Sequence, residues 1–234
     1  MAPYTVHVHY SEKRMAANRQ RLEAVQRFQY VDRVPVVMGV FTRYLLAQRQ
    51  VGYDEYLSSP RAHLIHQLEN YRWLVEHVDD DHCTSTAITL APDFENVPNA
   101  GAFGAEILYK DDQPPRALPC VHTVEDMERL PEAGPEDGLW GRCIAWAQEW
   151  QQLLRDEVRV YFNGQRAPIQ ATTGVYGLGP FSTAIDLAGD RFYEWLYAAP
   201  EACHAFLANQ FRLLLHIAAY CLFWLLRRHL QGTE

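Results

Sequence analysis

The residues best placed to do chemistry lie in a glycine turn, residues 177–184 (GLGPFSTA), between an apolar run and a long predicted helix. Its glycines permit a tight turn that other residues would strain, and Ser182 or Thr183 can cap the helix that follows. Backbone N–H groups at such a helix start point towards an anion. The turn matches neither the dinucleotide fingerprint nor the P-loop motif. It therefore predicts a binding site without specifying a phosphate.

Two charged residues also follow predicted strands. Arg43 comes after strand 33–39, and Asp93 comes after strand 87–91. Ligands of parallel α/β sheets bind at the carboxyl ends of the strands, so both residues are candidates for a binding site. Asp93 can equally be a solvated turn residue, and Arg43 can be a surface ion-pair residue.

The elements that would position these residues alternate between helix and strand. Helices are predicted over 11–30, 53–58, 60–77, 121–130, 139–157 and 192–230, and strands over 33–39, 87–91, 106–109, 158–162 and 168–175. Thr123, with Asp126 three residues later, predicts a cap for helix 121–130. Residues 111–120 and 131–138 are predicted as loops. The alternation predicts an α/β fold with a mainly parallel sheet.

Composition and charge narrow the class of protein. The chain has 234 residues, 48% of them apolar, and a net charge of −8, which argues against nucleic acid or an anionic membrane surface as the main partner. The first residues contain no apolar segment of signal-peptide length. Residues 213–226 are apolar but shorter than the ~20 residues that span a membrane. These features predict a cytoplasmic protein, no membrane partner, and a buried helix at 213–226.

Four segments, taken in order, resemble the uroporphyrinogen decarboxylase (URO-D) superfamily. This superfamily includes corrinoid-dependent methyltransferases that act with coenzyme M, and related O-demethylases. The segments are DRVPV (32–36), MGVFTRY (38–44), DFENVPNAGAFGAE (93–106) and GPFS (179–182), the last followed by Asp186-Leu187 and PEACHAFL (200–207). The resemblance covers about residues 15–215.

This resemblance implies a (β/α)8 barrel of the TIM type with its site at the C-terminal face. Asp93 takes the position of an aspartate that meets pyrrole N–H groups and stabilises positive charge as a carboxylate leaves. Arg43 matches an arginine that holds substrate carboxylates. The remaining substrate-binding residues that the resemblance implies are Tyr44, Gly179, Ser182 and Asp186.

Two departures from the family pattern favour its methyl-transfer branch, with the decarboxylase itself as the alternative. Gly39 stands where the family has a first arginine, and Asp186 stands where it has a tyrosine. Asp186 can also simply stabilise a helix start. The methyltransferase branch implies zinc held by His and Cys residues, and a corrinoid partner protein. The sequence has no HxC pattern, and the adjacent His82 and Cys83 are poor joint ligands, so no metal ligand is assigned.

Length limits how much of a barrel the chain can form. A (β/α)8 barrel typically needs about 250 residues, and only four or five strands are predicted here. The resemblance therefore implies a partial barrel over residues 32–234 that lacks its C-terminal units, preceded by a helical extension over 1–31. Helix 213–226 would then lack packing partners. This predicts either a homo-oligomer through that helix or a catalytically inactive interaction protein.

Other polar clusters are predicted to have no role in chemistry. His7 and His9 share one face of an extended segment and are predicted to be solvated. Asp79–Asp81 are predicted as a solvated loop rather than a cation site. His63 and His66, one turn apart on a helix, are predicted as surface or core residues rather than ligands.

Overall fold

The computed structural model of the protein describes residues 3–110, 113–173 and 178–231. The strands are β1 (Tyr4–Val8), β2 (Ile88–Leu90), β3 (Ile107–Lys110), β4 (Gln113–Ala117), β5 (Val158–Phe162), β6 (Gln165–Arg166) and β7 (Ile169–Ala171). The helices are α1 (Glu12–Gln26), α2 (Thr42–Gln48), α3 (Tyr53–Tyr56), α4 (Pro60–His77), α5 (Pro98–Ala102), α6 (Val124–Arg129), α7 (Gly138–Asp156), α8 (Pro180–Ala188), α9 (Arg191–Ala198) and α10 (Pro200–Gln231).

The strands form small sheets with both parallel and antiparallel pairings. β1 pairs with β5 in parallel, and β2 pairs with β7 in parallel, with Leu90 opposite Ala171. The pairs β3–β4 and β5–β6 are antiparallel. The predicted mixture of helices and strands is confirmed. Within residues 3–110, 113–173 and 178–231 no sheet closes into a barrel, so the (β/α)8 architecture stays a prediction.

The chain folds into two compact units. Unit 1 contains Met1–Leu90 and Gln148–Ala171, and unit 2 contains Ala91–Ala147 and Thr172–Glu234. The core of unit 1 combines alternate residues of β1 and β5 with Met15 of α1 and with apolar residues of α4. The sequence analysis did not predict β1. Because β1 and α1 belong to this core, residue 31 is not a boundary between the two units.

Unit 2 is built around helix α10, which packs against α6, α8 and α9. The prediction of one continuous helix over 192–230 is wrong at one point, since α9 ends at Ala198 and α10 begins at Pro200. Proline lacks the N–H that would continue the preceding helix, and it restricts the backbone of the residue before it. Ala199 accordingly leaves the helical region, with a φ of −146°.

Capping residues explain two helices that were predicted correctly. Ser59 accepts a hydrogen bond from the backbone N–H of Ala62 at the start of α4. Thr123 and Asp126 form a reciprocal capping box at the start of α6. Both arrangements satisfy N–H groups that the first turn of a helix leaves unpaired.

Two predictions of local structure are wrong. The described residues 33–39 form no strand, because their backbone groups bond to the side chains of Asp80 and Asp81 rather than to a neighbouring strand. The predicted loop 111–120 contains β4, which pairs with β3. Adjacent residues of a strand direct their backbone nitrogens to opposite edges, so one of the two prolines faces the unpaired edge of β4. The other lies where the β3–β4 register shifts between Leu108 and Lys110.

Helix α10 buries only one side. By length and composition alone, Pro200–Arg227 is long enough and apolar enough to cross a membrane. This is weak support for a membrane location, because core helices of soluble proteins pass the same test. Leu213 and Ile217 are buried, whereas Leu215 and Leu222 are more than half exposed. The expected burial of helix 213–226 is therefore correct for one of its faces and wrong for the other.

Candidate functional site

Helix α8 starts at the glycine turn. Gly179 is the N-cap, and Pro180 is the first helical residue, where its fixed φ favours the helix. The predicted capping by Ser182 or Thr183 is wrong, because both residues lie inside α8. Ser182 is exposed, whereas Thr183 is buried. Gly177 lies outside the described residues.

A buried asparagine joins the aspartate segment, residues 93–106, to the start of α8. Asn99 donates through Nδ2 to the carbonyl oxygen of Leu178 at 2.7 Å and to Oγ1 of Thr183 at 3.2 Å. Its Oδ1 accepts from the indole N–H of Trp140 at 2.9 Å. All four residues belong to unit 2. The aspartate segment therefore contacts the two residues that flank GPFS (179–182), although Asn99 and Leu178 are 79 residues apart in sequence.

Asp93 lies in a tight turn that follows β2. Its Oδ1 accepts a hydrogen bond from the backbone N–H of Glu95 at 2.8 Å, and Glu95 has a φ of 57°. Aspartate often forms this type of turn with its own backbone. Asp93 is half-buried. Burial, assisted by the negative charge of Asp93, raises the pKa of the Cys143 thiol to about 12. Asp93 therefore acts electrostatically on a residue of helix α7.

The structure places beside this segment a cation that the sequence analysis missed. Arg142 lies over the rings of Phe94 and Trp146, 5.5 and 5.0 Å from their centroids. The two rings pack against each other at 4.8 Å. The i, i+4 spacing of Arg142 and Trp146 indicates a shared helix face, but nothing in the sequence places Phe94 against it. Arg142 is thus an arginine that the fold brings to the residue next to Asp93.

Asp186 is a partly buried carboxyl group on α8. Burial raises its pKa above the usual range for aspartate. It is the seventh residue of α8, beyond the first turn in which a carboxylate stabilises a helix start. A carboxyl group that is costly to ionise is a candidate for ligand binding or proton transfer.

In unit 1, Tyr44 lines an aromatic groove of about 560 Å³. The rings of Tyr44 and Trp73 pack edge to face with their centroids 5.9 Å apart, and Trp73 stacks on His77 with the ring centroids 4.8 Å apart. The groove residues are Met38, Gly39, Val40, Phe41, Tyr44, Trp73, His77, Val78 and Asp79. Arg43 is exposed and does not belong to this lining. Arg43 and Asp93 belong to different units, so their shared role in one site stays a prediction.

The prediction of a solvated loop at Asp79–Asp81 is wrong for two of its three residues. Asp79 is 93% exposed, but the side chain of Asp81 is fully buried. The Asp81 carboxylate pairs with Arg21 and with Arg33, each at 2.6 Å. It also accepts the backbone N–H of Val36 at 2.9 Å. From the sequence alone, a run of three aspartates is predicted to be solvated. The two arginines that neutralise Asp81 are about 50 to 60 residues away in the chain.

Asp80 is the second buried carboxylate of this region. It accepts the backbone N–H of Met38 at 2.8 Å and pairs with His82. Burial opposes the ionisation of Asp80, but these hydrogen bonds outweigh it and hold its pKa below the usual range. We call the group the acid–arginine cluster; its members are Arg21, Arg33, Asp80, Asp81 and His82.

The described residues do not fit the zinc that the methyltransferase branch implies. In the part of the chain that the structure describes, no three His, Cys, Asp or Glu side chains converge to hold a metal ion. Cys83 is buried, and burial raises the pKa of its thiol to about 11, which disfavours the thiolate that a metal needs. His63 and His66 are buried in unit 1, as expected for core residues.

No protein-family model matches the chain, and no curated protein matches its sequence significantly. The URO-D resemblance therefore rests on its four sequence segments alone.

Proposed function

We propose that this chain is a partial (β/α)8 barrel of the URO-D superfamily that binds a tetrapyrrole-like ligand, on the side of the corrinoid-dependent methyltransferases and O-demethylases. In this proposal Asp93 and the start of α8, both in unit 2, form one wall of the binding site. The corrinoid is carried by a separate partner protein. The same reasoning proposes a cytoplasmic location.

One observation carries the proposal, namely the pair of hydrogen bonds from Asn99 to Leu178 and Thr183. The resemblance implies that the aspartate segment and the glycine turn border the same site. The amide of Asn99 is buried and bonded at both of its polar atoms. Buried, fully paired amides fix the geometry of the segments they join, so this contact supports a common site rather than a chance proximity.

The pairing of β2 with β7 gives independent support. These strands run in parallel, with Leu90 opposite Ala171, so their carboxyl ends lie side by side. The aspartate segment follows β2, and the glycine turn follows β7. Ligands of parallel sheets bind at such carboxyl ends. Parallel pairing of this kind occurs in α/β sheets generally. In a (β/α)8 barrel it joins consecutive strands, whereas β5 lies between β2 and β7 in the chain.

The side chains on this wall suit a ligand that carries or develops positive charge. The Asp93 carboxylate would stabilise that charge, and the partly buried Asp186 would contact the ligand from α8. A decarboxylase substrate with many carboxylates needs arginine clamps, and Gly39 removes one of them. This difference favours the methyl-transfer branch over the decarboxylase.

Ligand binding tests the proposal directly. Aquocobalamin and uroporphyrin are titrated separately into the full chain, and binding is followed by visible absorbance. We expect one of them to bind, and Asp93→Ala to weaken that binding by about 10-fold or more, the loss typical of one charge-assisted contact. Asp190→Ala is the matched control, because Asp190 is an exposed aspartate of the same unit.

Each result of these titrations leads to a different conclusion about the proposed site. Unchanged binding in Asp93→Ala would remove Asp93 from the site, and binding of neither probe by the folded chain would overturn the proposal. A stronger response to uroporphyrin than to aquocobalamin would move the assignment to the decarboxylase alternative.

A second candidate function, an interaction protein without catalysis, is favoured by the exposed apolar face of α10. Phe211, Leu215 and Leu222 are each more than half exposed on this helix. Exposed apolar surface of this extent commonly marks an interaction site. Absence of ligand binding together with self-association would favour this candidate.

A further inference from the structure

Among the residues that the structure describes, helix α10 carries two apolar stripes, of which one is buried and the other is exposed. The buried stripe is Cys203, Phe206, Leu213, Ile217 and Cys221, with the polar Gln210 buried among them, on a helix that packs against α6, α8 and α9. The exposed stripe is Ala208, Phe211, Leu215, Ala218, Leu222 and Leu225. The four large side chains of the exposed stripe keep 48–58% of their surface accessible.

The exposed stripe has the spacing of a helix-pairing seam. Its residues are separated by 3, 4, 3, 4 and 3 positions, the alternation by which one helix presents a continuous seam to another. From Ala208 to Leu225 the seam is about 26 Å long. A helix that only completes the core of its own unit needs one such stripe, and the buried stripe already provides it.

The charge around the seam permits self-association. Between Ala202 and Leu226 the only Lys, Arg, Asp or Glu residue is Arg212. Its guanidinium pairs with Glu132 of the same chain, so its charge is already compensated. Two copies of the seam can therefore approach without opposing like charges.

We propose that the exposed stripe is a homodimer seam, in which α10 packs antiparallel against α10 of a second copy of this chain. The antiparallel register pairs position 208 with 225, 211 with 222, and 215 with 218. It places Ala208 against Leu225 and Ala218 against Leu215, so each small residue faces a large one. Alternation of large and small residues across a seam fills it at the density of a protein interior.

The parallel alternative packs less well. It would place each residue opposite its own copy, so that Ala208 and Ala218 leave gaps while Phe211 meets Phe211. Gaps and overpacked positions both reduce stability. The order of small and large side chains along the stripe therefore favours the antiparallel pair. Such a pair has the two-fold symmetry typical of homodimers.

Sedimentation velocity of the full chain tests the seam, over about 1 to about 100 µM chain, a range that brackets the micromolar affinities of small interfaces. We expect a monomer–dimer equilibrium in this range. Leu215→Arg and Leu222→Arg should each raise the dissociation constant at least about 10-fold, because each would bury an unpaired charge. His216→Arg adds the same charge to an exposed position of α10 outside the stripe and should leave dimerisation unchanged.

Crosslinking tests the direction of the pair. In a Cys120→Ser background, which removes the exposed native cysteine, Ala208→Cys and Leu225→Cys chains should form a disulfide when mixed. Neither chain should do so alone, since identical positions would be about 26 Å apart.

Several results would each overturn the seam proposal. These are a strictly monomeric wild type at about 100 µM, equal effects of Leu215→Arg and His216→Arg, or disulfides in the Ala208→Cys chain alone. Binding to phosphatidylcholine vesicles without any dimer in solution would assign the stripe to a lipid surface and would equally overturn it. Ligand binding to unit 2 does not enter this test, so the seam and the proposed function succeed or fail separately.

Discussion

Asp81 and Arg33 form a two-point ion pair, with Nη1 and Nη2 of Arg33 at 2.6 and 2.8 Å from the two carboxylate oxygens of Asp81. The backbone N–H of Val36 donates to the same carboxylate, and the backbone N–H of Asp81 donates to the carbonyl oxygen of Val36. The pair therefore holds residues 33–36 to the loop between α4 and β2. This segment leads into Met38–Tyr44, where the resemblance predicts substrate contacts.

Removing the charge of Asp81 should destabilise unit 1. Asp81→Asn leaves two arginines facing a neutral, buried amide, and breaking a buried ion pair from one side costs about 3 kcal/mol. Urea denaturation should show this loss in the free energy of unfolding. Asp79→Asn should change it by less than about 0.5 kcal/mol, because Asp79 is exposed and surface substitutions of this kind have small effects. Equal effects of the two substitutions would contradict the structure of this cluster.

Stability should fall at acid pH through the same cluster. Burial opposes the ionisation of Asp81, but Arg33, the N–H of Val36 and Arg21 outweigh it and hold its pKa below the usual range. Such a group stabilises the folded state fully above the unfolded pKa of about 3.9 and stops doing so as the pH falls through the lower folded value. The free energy of unfolding should decline below about pH 4. The decline should be shallower in Asp81→Asn, and an identical pH profile would contradict the assignment.

Asn99→Ala should destabilise unit 2. The substitution leaves the indole N–H of Trp140 and the hydroxyl of Thr183 buried without Asn99, and each lost buried partner costs about 1–3 kcal/mol. We expect a loss of about 3 kcal/mol in the free energy of unfolding. Asn96→Ala is the control, since Asn96 belongs to the same segment but is exposed. If the two variants unfold at the same urea concentration, Asn99 does not join the segments.

Asp186→Asn should stabilise the protein at neutral pH. Because burial raises the folded pKa of Asp186, ionising it costs folded-state free energy as the pH rises through the unfolded and then the folded pKa. At pH 7 this cost is present and asparagine removes it, so the free energy of unfolding should rise. Below about pH 3.9 both forms are uncharged and the gain should vanish. Thermal unfolding at both pH values checks this, with Asp190→Asn, on an exposed aspartate, as the neutral comparison.

Local sequence patterns predicted most helices correctly. Helix α4 matches the predicted 60–77, since Ser59 supplies a cap and Pro60 a favourable first residue. The capping box at Thr123 was visible because its two partners are three residues apart. Signals that act within one turn of helix can be read from a single sequence.

Predictions failed where the partner was distant. Residues 33–39 have the composition of a strand, but their hydrogen-bond partners are Asp80 and Asp81, more than 40 residues away. The role of Arg142 at the aspartate segment was missed for the same reason, because Phe94 lies 48 positions earlier in the chain. Propensity describes a segment alone, and tertiary contacts can override it.

The sequence by itself determined the mixed α/β class and most of the helices, because each depends on spacing within a few residues. Only the tertiary structure decided that Asp80 and Asp81 are buried, that Asn99 joins the aspartate segment to α8, and which stripe of α10 is covered. Burial and ion pairing depend on groups brought together by the whole chain. Their energies therefore have no local signature in the sequence.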